Sequence, residues 1–444
     1  MKKKLLSSIL SLTSIVSTAD VSLYGKLAAG VRQDSFQNST EPNTTSIQDF
    51  GSYFGIRGYD QVYDQTSAIW QIEQLLDLTS GQAYSVNTAG NLIVPRGGAT
   101  GLQNGKTVLQ MNTLASGESY LGLQGLWGRL RLGNLSNYMR SSMGAIDWYT
   151  YTSGANGGSL YSRTVQILPS SIRFDSPNWG GFSFAAMYSF QTSGQSGIYG
   201  LNQNNTLGSG INGFYSGGVY SIGASWTGNY LSIKAGTMIN QDVGSYTNNF
   251  SSSVNPLGTT YPNSSYNNAY ANRIEVSYND PDGAVGGVGL QTTSGWGYNG
   301  WPNSGGSWGN YITNPGYNYP GLNSNQFQTQ ELALSLGWHL GPWTPKVSYL
   351  FGNNLMYNSN VLNVAAGNGN QIPNSGYQQV VGELDWNITP RTIVFINYGQ
   401  IWFGNTIANI SFCGNSCANA TTVDASNRYA RSQGTGAIGF SHTF

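Results

Sequence analysis

The chain has 444 residues, only 9% of them charged, and its 19 basic groups balance its 19 acidic ones. That balance offers no basic surface for nucleic acid, while 60 glycines, 29 tyrosines and 12 tryptophans describe turns and aromatic strands. After Val16 no apolar stretch reaches the roughly eighteen consecutive residues of a transmembrane helix, so none is expected.

At the N-terminus, MKKKLLSSILSLTSIVSTAD holds three lysines, an apolar run from Leu5 to Val16, and small residues at Ser17 and Ala19. This is the layout of a secretory signal peptide spanning 1–19, and the run of about a dozen apolar residues is too short to span a bilayer. Without Lys2, Lys3 and Lys4, 16 basic groups face 19 acidic ones in residues 20–444, which read as a single all-β unit.

From Asp20 onward the dominant pattern is alternation. In DVSLYGKLAAGVR, Val21, Leu23, Leu27, Ala29 and Val31 share one face, and Ser22, Tyr24, Lys26 and Arg32 share the other. The pattern returns in YFGIRG, in AIWQIEQLLDL out to Leu78, and in ESYLGLQG, GRLRLG, SIRFDS and GFSFAAMYSF. Farther on come VYSIGASWTG, YLSIKAG, NRIEVSY, AVGGVGLQTTSGW, where glycine blurs the pattern, ELALSLGWHL, KVSYLFG, GELDWNI, RTIVFINYG and the terminal GAIGFSHTF, about sixteen strands in all. Tight turns such as GLWG, PNWGG, NDPDG, LGP and NITP alternate with long polar connections, so every turn of one kind lies at one end of an up-and-down sheet.

Such a sheet has one apolar face and one face bearing Arg, Lys, Glu and Asp. Aromatic residues mark many strand ends, among them Tyr188, Trp226, Tyr278, Trp338, Tyr349, Trp386 and Trp402, as girdles at a membrane interface do. In lipid every backbone polar group needs a partner, so a spanning sheet must close into a barrel, its polar face lining a wet lumen. The expected fold is therefore all-β, a transmembrane antiparallel up-and-down barrel of about sixteen strands.

The segments VSLYGKLAAGV, GSYFGIRGYDQV, ESYLGLQGLWGRLRLGN and SSIRFDSPNWGGFSFAAMYSF, with a terminal strand ending in Phe444, resemble the general Gram-negative bacterial porins, especially their β-proteobacterial branch. The resemblance covers nearly all of residues 20–444. It implies an outer-membrane homotrimer whose third long loop, here 137–168, folds inward to constrict the pore. It also implies that the aromatic last strand, with Phe440 and Phe444, is read by the barrel-assembly machinery, and that the channel passes ions and small hydrophilic solutes without enzymatic activity or cofactor. The acidic Pro-Glu-Phe-Gly type motif common in that loop is absent, and Asp147 is its only acid, beside Arg140 and Arg163.

Period-2 phasing points Lys26, Arg57, Arg129, Arg131 and Arg173 into the lumen, with Arg32 at the rim. Porins that resemble this chain set such a basic ladder across from loop acids, creating a transverse field. Glu73, Asp77, Glu118 and Asp175 phase inward in the same sector, so a weakly selective pore is expected. Lys234, Arg273, Glu275, Glu331, Lys346, Glu383, Asp385 and Arg391 also phase inward and read as lining.

Other chemistry is thinly represented. GLQNGKT lacks the first glycine of a phosphate-binding loop and no helix follows it. His339 and His442 are far apart, and no metal-ligand cluster is available. Cys413 and Cys417, close together in a secreted chain, are expected to form a small disulfide. Two further readings stand beside the general pore: a sugar-specific channel using the aromatic residues around 296–320, and a barrel that supports an adhesin.

Overall fold

The computed structural model describes residues 20–37, 43–79, 85–86, 92–93, 115–144, 146, 148–150, 155–158, 161–164, 167–190, 218–244, 266–294, 327–354, 356–357, 376–404 and 431–444. Sixteen long strands form the wall: β1 (Asp20–Gln37), β2 (Tyr53–Tyr63), β3 (Thr66–Leu75), β4 (Ser119–Gly125), β5 (Gly128–Ser136), β6 (Ile167–Asp175), β7 (Phe182–Ser189) and β8 (Val219–Thr227). The second half is β9 (Leu231–Gly244), β10 (Tyr266–Asn279), β11 (Ala284–Ser294), β12 (Phe327–Trp338), β13 (Trp343–Gly352), β14 (Tyr377–Thr389), β15 (Thr392–Phe403) and β16 (Arg431–Thr443). Each pairs antiparallel with its sequence neighbour. Among the described residues no helix is long and apolar enough to cross a membrane.

The sheet closes on itself. Lys26–Gln37 of β1 pair in register with Ser432–Thr443 of β16, while the first residues of β1 pair with β2. Phe444 extends the seam by one residue, exchanging backbone hydrogen bonds of 3.0 Å with Gly25 in both directions. Its ring lies over Gly25, where a methyl group would stand 2.6 Å from Phe444 Cζ. Pairing of the first and last strands of the wall removes the open edge that lipid forbids in a spanning sheet.

Alternation sorts the side chains as the sequence pattern requires. Leu23, Ile222, Ile274, Leu290, Leu336, Ile396, Ile438 and Phe440 are exposed on the outer face, whereas Arg131, Arg173, Arg273, Glu275, Gln291, Glu331 and Glu383 are buried on the inner one. Inversion of the soluble pattern, with apolar side chains outside and charges within, is what a lipid solvent stabilises. Trp127, Trp179, Trp226, Tyr278, Trp338, Trp343 and Trp386 are exposed at or beside the short turns. Those turns are tight: Gly180 and Gly181 take φ of +61° and +96° between β6 and β7, a region that L side chains avoid.

Two departures from simple alternation have local causes. The pattern reads as strand to Leu78, but β3 stops at Leu75, because Asp77 accepts hydrogen bonds from the amide and hydroxyl of Thr79 in a side-chain-closed turn. Between β1 and β2 the chain forms a short strand, Thr44–Asp49, against β1. It then tucks Phe50 onto Ala28, Phe395 and Ala437.

Candidate functional site: the polar inner wall

The inner face divides into two sectors. In the first, on β2 to β6, Arg129, Arg131 and Arg173 meet acids on their own or a neighbouring stretch of wall. Arg131 donates to Glu118 Oε1 at 2.5 Å and to Asp175 Oδ2 at 2.8 Å, and Arg173 donates to Asp175 Oδ1 at 2.6 Å. Arg129 lies 3.5 Å from the same Asp175 carboxylate. Arg131 and Arg173 are buried, while the Arg129 side chain keeps 37% of its surface exposed. Arg57 is exposed, donating from Nε to Ser22 Oγ at 3.3 Å with its guanidinium 5.1 Å from the Tyr24 ring centroid. Glu73 accepts from the Tyr24 hydroxyl at 3.1 Å.

The other residues singled out from the sequence occupy different settings. Lys26 donates to the Thr150 carbonyl at 3.4 Å. Asp77 lies in the turn beyond β3. Arg32, expected at the rim, is buried against Asp34, 2.8 Å away. Asp147, Cys413, Cys417, residues 1–19 and the aromatic stretch 296–320 lie outside the described residues, as does the Arg163 side chain.

The second sector, on β8 to β16, meets the segment that leaves β5. Asn137 caps a short helix, α1 (Tyr138–Ser142), its Oδ1 accepting from the Arg140 amide at 2.8 Å. Tyr138, Met139 and Met143 pack on Leu168, Met187, Val219 and Met238, an apolar patch on an otherwise polar wall. Burial of each such side chain contributes about 1.5–3 kcal/mol.

Beyond α1 the segment is held by hydrogen bonds to inward-facing side chains. Lys346 donates to the Trp148 carbonyl at 3.2 Å and pairs with Glu383 at 2.9 Å and Asp385 at 2.5 Å. Thr150 donates its amide to Glu383 at 2.9 Å and its hydroxyl to Asp385 at 3.3 Å. Gln379 donates to the Ala155 and Gly157 carbonyls at 2.8 and 2.6 Å, and Asn156 donates to Asn397 at 2.6 Å. The Ala155 amide reaches Thr435 Oγ1 on β16 at 3.1 Å. Farther along, Arg273 and Gln291 both donate to the Tyr161 carbonyl, at 2.6 and 3.0 Å. Sequence phasing reads Arg273, Lys346, Glu383 and Asp385 as plain lining and does not single out Gln291, Gln379, Asn397 or Thr435; the unused signal is the run of glycines on the same inner faces, since glycine inside a strand marks close approach of another backbone or ring.

The family model for Gram-negative porins matches residues 7–406. The chain belongs to the Gram-negative porin family. Relatives include the major outer membrane proteins P.IA of Neisseria meningitidis serogroup C, 25% identical over 89% of this chain and 93% of that protein, and P.IB of Neisseria sicca, 25% identical over 90% and 94%. A stronger local match, 32%, covers 42% of this chain and 46% of another P.IA, so at that level the porin spans about half of its relative's length. The fold is also that of an anion-selective porin from Comamonas acidovorans, with a TM-score of 0.56 at 14% identity over 96% of this chain and all of that one. OmpT of Vibrio cholerae, described as a trimer form, gives 0.52 at 14% over 96% and 99%. Family and relatives place this porin in the outer membrane and point to a non-enzymatic channel.

Proposed function

We propose that the protein is a general diffusion porin, a water-filled channel that passes ions and small hydrophilic solutes down their gradients, using no cofactor and performing no reaction. The observation that carries this reading is a closed barrel with a charged inner wall and an apolar, aromatic-girdled outer one. Segment 137–164, packed on β8 and β9 and held to β10–β16 by the hydrogen bonds above, narrows the pore, and solutes pass along the β1–β6 wall. Pore-facing residues there are Lys26, Arg57, Glu73 and Arg129. Glu118, Arg131, Arg173 and Asp175 neutralise one another, which supports weak ion selectivity.

A homotrimer is supported by family membership and by the trimer form of OmpT. The seam role of Phe444 and the outward position of Phe440 fit recognition of the last strand by the assembly machinery. The sugar-specific and adhesin readings rest on loops outside the described residues, and nothing described favours them.

The test is single-channel recording of folded protein in planar bilayers under asymmetric KCl. Ohmic steps in groups of three, a small reversal potential and no block by sugars are expected. Saturable closure by a sugar overturns the general pore in favour of a specific channel, and the absence of steps from folded barrel overturns the channel reading.

A further inference from the structure

Five glycines on the inner face of the second sector stand where a segment residue lies against the wall. A methyl group added at Gly223 on β8 would enter the ring of Tyr138, and one at Gly236 on β9 would meet Tyr138 Cδ1 at 2.9 Å and Met143 Sδ at 3.1 Å. At Gly289 on β11 it would strike the Tyr161 hydroxyl, and at Gly337 on β12 it would meet Trp148 Cη2 at 2.5 Å. At Gly399 on β15 it would collide with the Ala155 carbonyl. Two outward-facing glycines have room: the atom nearest to a methyl at Gly382 on β14 is the Lys346 carbonyl oxygen, 3.8 Å away, and at Gly436 on β16 it is Tyr398 Cδ2 at 3.5 Å.

We propose that Gly223, Gly236, Gly289, Gly337 and Gly399 are positioning residues: notches into which segment 137–164 is keyed, and which thereby set the aperture of the pore. The inference rests on the reading that this segment narrows the channel. Hydrogen bonds fix where the segment lies along the wall, whereas the notches fix how deeply it lies. At Gly289 the two are coupled, because the Tyr161 ring occupies the notch while its carbonyl accepts from Arg273 and Gln291. At Gly337 the Trp148 ring occupies the notch while its carbonyl accepts from Lys346. None of the five glycines has the left-handed φ that would require glycine for backbone reasons. Alanine costs less backbone entropy than glycine in a strand, so a methyl with room would be neutral or stabilising. Any loss therefore reports the collision with the segment. Gly337 is the least clean site, since a methyl there also meets the Pro345 carbonyl at 2.7 Å; at Gly289 and Gly399 the nearest atoms all belong to the segment.

The experiment compares single-channel conductance of the full chain with that of Gly289→Ala, Gly399→Ala, the outward control Gly382→Ala, and a variant lacking residues 145–160. Heat-modifiable gel mobility shows which barrels have closed. Gly289→Ala and Gly399→Ala are expected to lose the narrow wild-type level for a larger, noisier one, between wild type and the deletion, with Gly382→Ala unchanged. In the deletion background Gly399→Ala should add nothing, because Ala155 and Asn156, the residues its methyl strikes, are gone. Tyr161→Phe removes the atom that the Gly289 methyl strikes, so the Gly289→Ala/Tyr161→Phe double variant should recover wild-type conductance, and closure too if the single variant fails to fold. Glycine variants that conduct like wild type beside a wider deletion variant overturn the keying alone. A deletion variant that conducts like wild type overturns the narrowing itself, and the aperture proposal with it.

Discussion

The two sectors of the inner wall carry similar residues and use them differently. On β4 to β6 the charges are spent on one another, Arg131 and Arg173 closing on Glu118 and Asp175 from adjacent strands. On β10 to β16 they are spent partly on the segment, through the carbonyls of Trp148 and Tyr161 and the amide of Thr150. Arg173 belongs to both groups, since it also donates to the Ser136 carbonyl and Ser141 hydroxyl at the base of the segment. An inward charge is thus no measure of what a passing ion feels. What the charge meets across the lumen decides whether it tunes permeation or holds structure.

The largest test of this contrast is Lys346→Met. The side chains of Lys346, Glu383 and Asp385 are 8%, 0% and 6% exposed, so removing the cation leaves two buried carboxylates side by side. Breaking a buried ionic group from one side costs about 3–5 kcal/mol. Denaturant unfolding in detergent should show that loss, and the segment should become sensitive to protease. Adding Glu383→Gln and Asp385→Asn should restore much of the stability, because no uncompensated charge then remains.

Arg131→Met is the matching change in the first sector and should cost less, about 1–3 kcal/mol, the usual range for leaving a partner unsatisfied. Glu118 and Asp175 retain 19% and 16% of their side-chain exposure, and Asp175 keeps Arg173 and Arg129. Equal losses in the two variants, measured in the same detergent, would break the distinction between the sectors.

Much of the barrel is legible in the sequence because its physics is local. Alternation at Val21–Val31 and turn chemistry at Pro177–Gly181 act over a few residues, and the lipid solvent inverts the soluble pattern everywhere at once. Register and closure follow the same alternation through to Phe444. The pairing of Arg131 with Glu118 and Asp175 is half legible: phasing puts the three on one face but does not say that they meet. The segment's partners are not legible, since Thr150 and Glu383 are 233 positions apart and only the folded wall brings them together. Phase alone puts Arg32 at the rim, whereas Asp34, two residues on in the same phase, is the partner that accompanies its burial.

Arg57→Gln should give the smallest structural effect and the clearest electrical one. Among the described residues Arg57 forms no ion pair; its register partners are Ser22 and Gln71, and its side chain is exposed. Removing it takes one positive charge from the open wall without leaving a buried acid, so unfolding should be unchanged within error. The reversal potential in a KCl gradient should move toward cation preference. That movement should be plain near 0.1 M salt, where the screening length is about 10 Å, and should fade near 1 M, where it is about 3 Å. Arg173→Gln in the same gradient should move the potential less while destabilising the barrel more, because the Arg173 charge is already taken by Asp175. If Arg173→Gln moved the potential as far as Arg57→Gln, paired charges would be felt by ions as strongly as free ones, and the division of the wall into structural and permeation-tuning charges would fail.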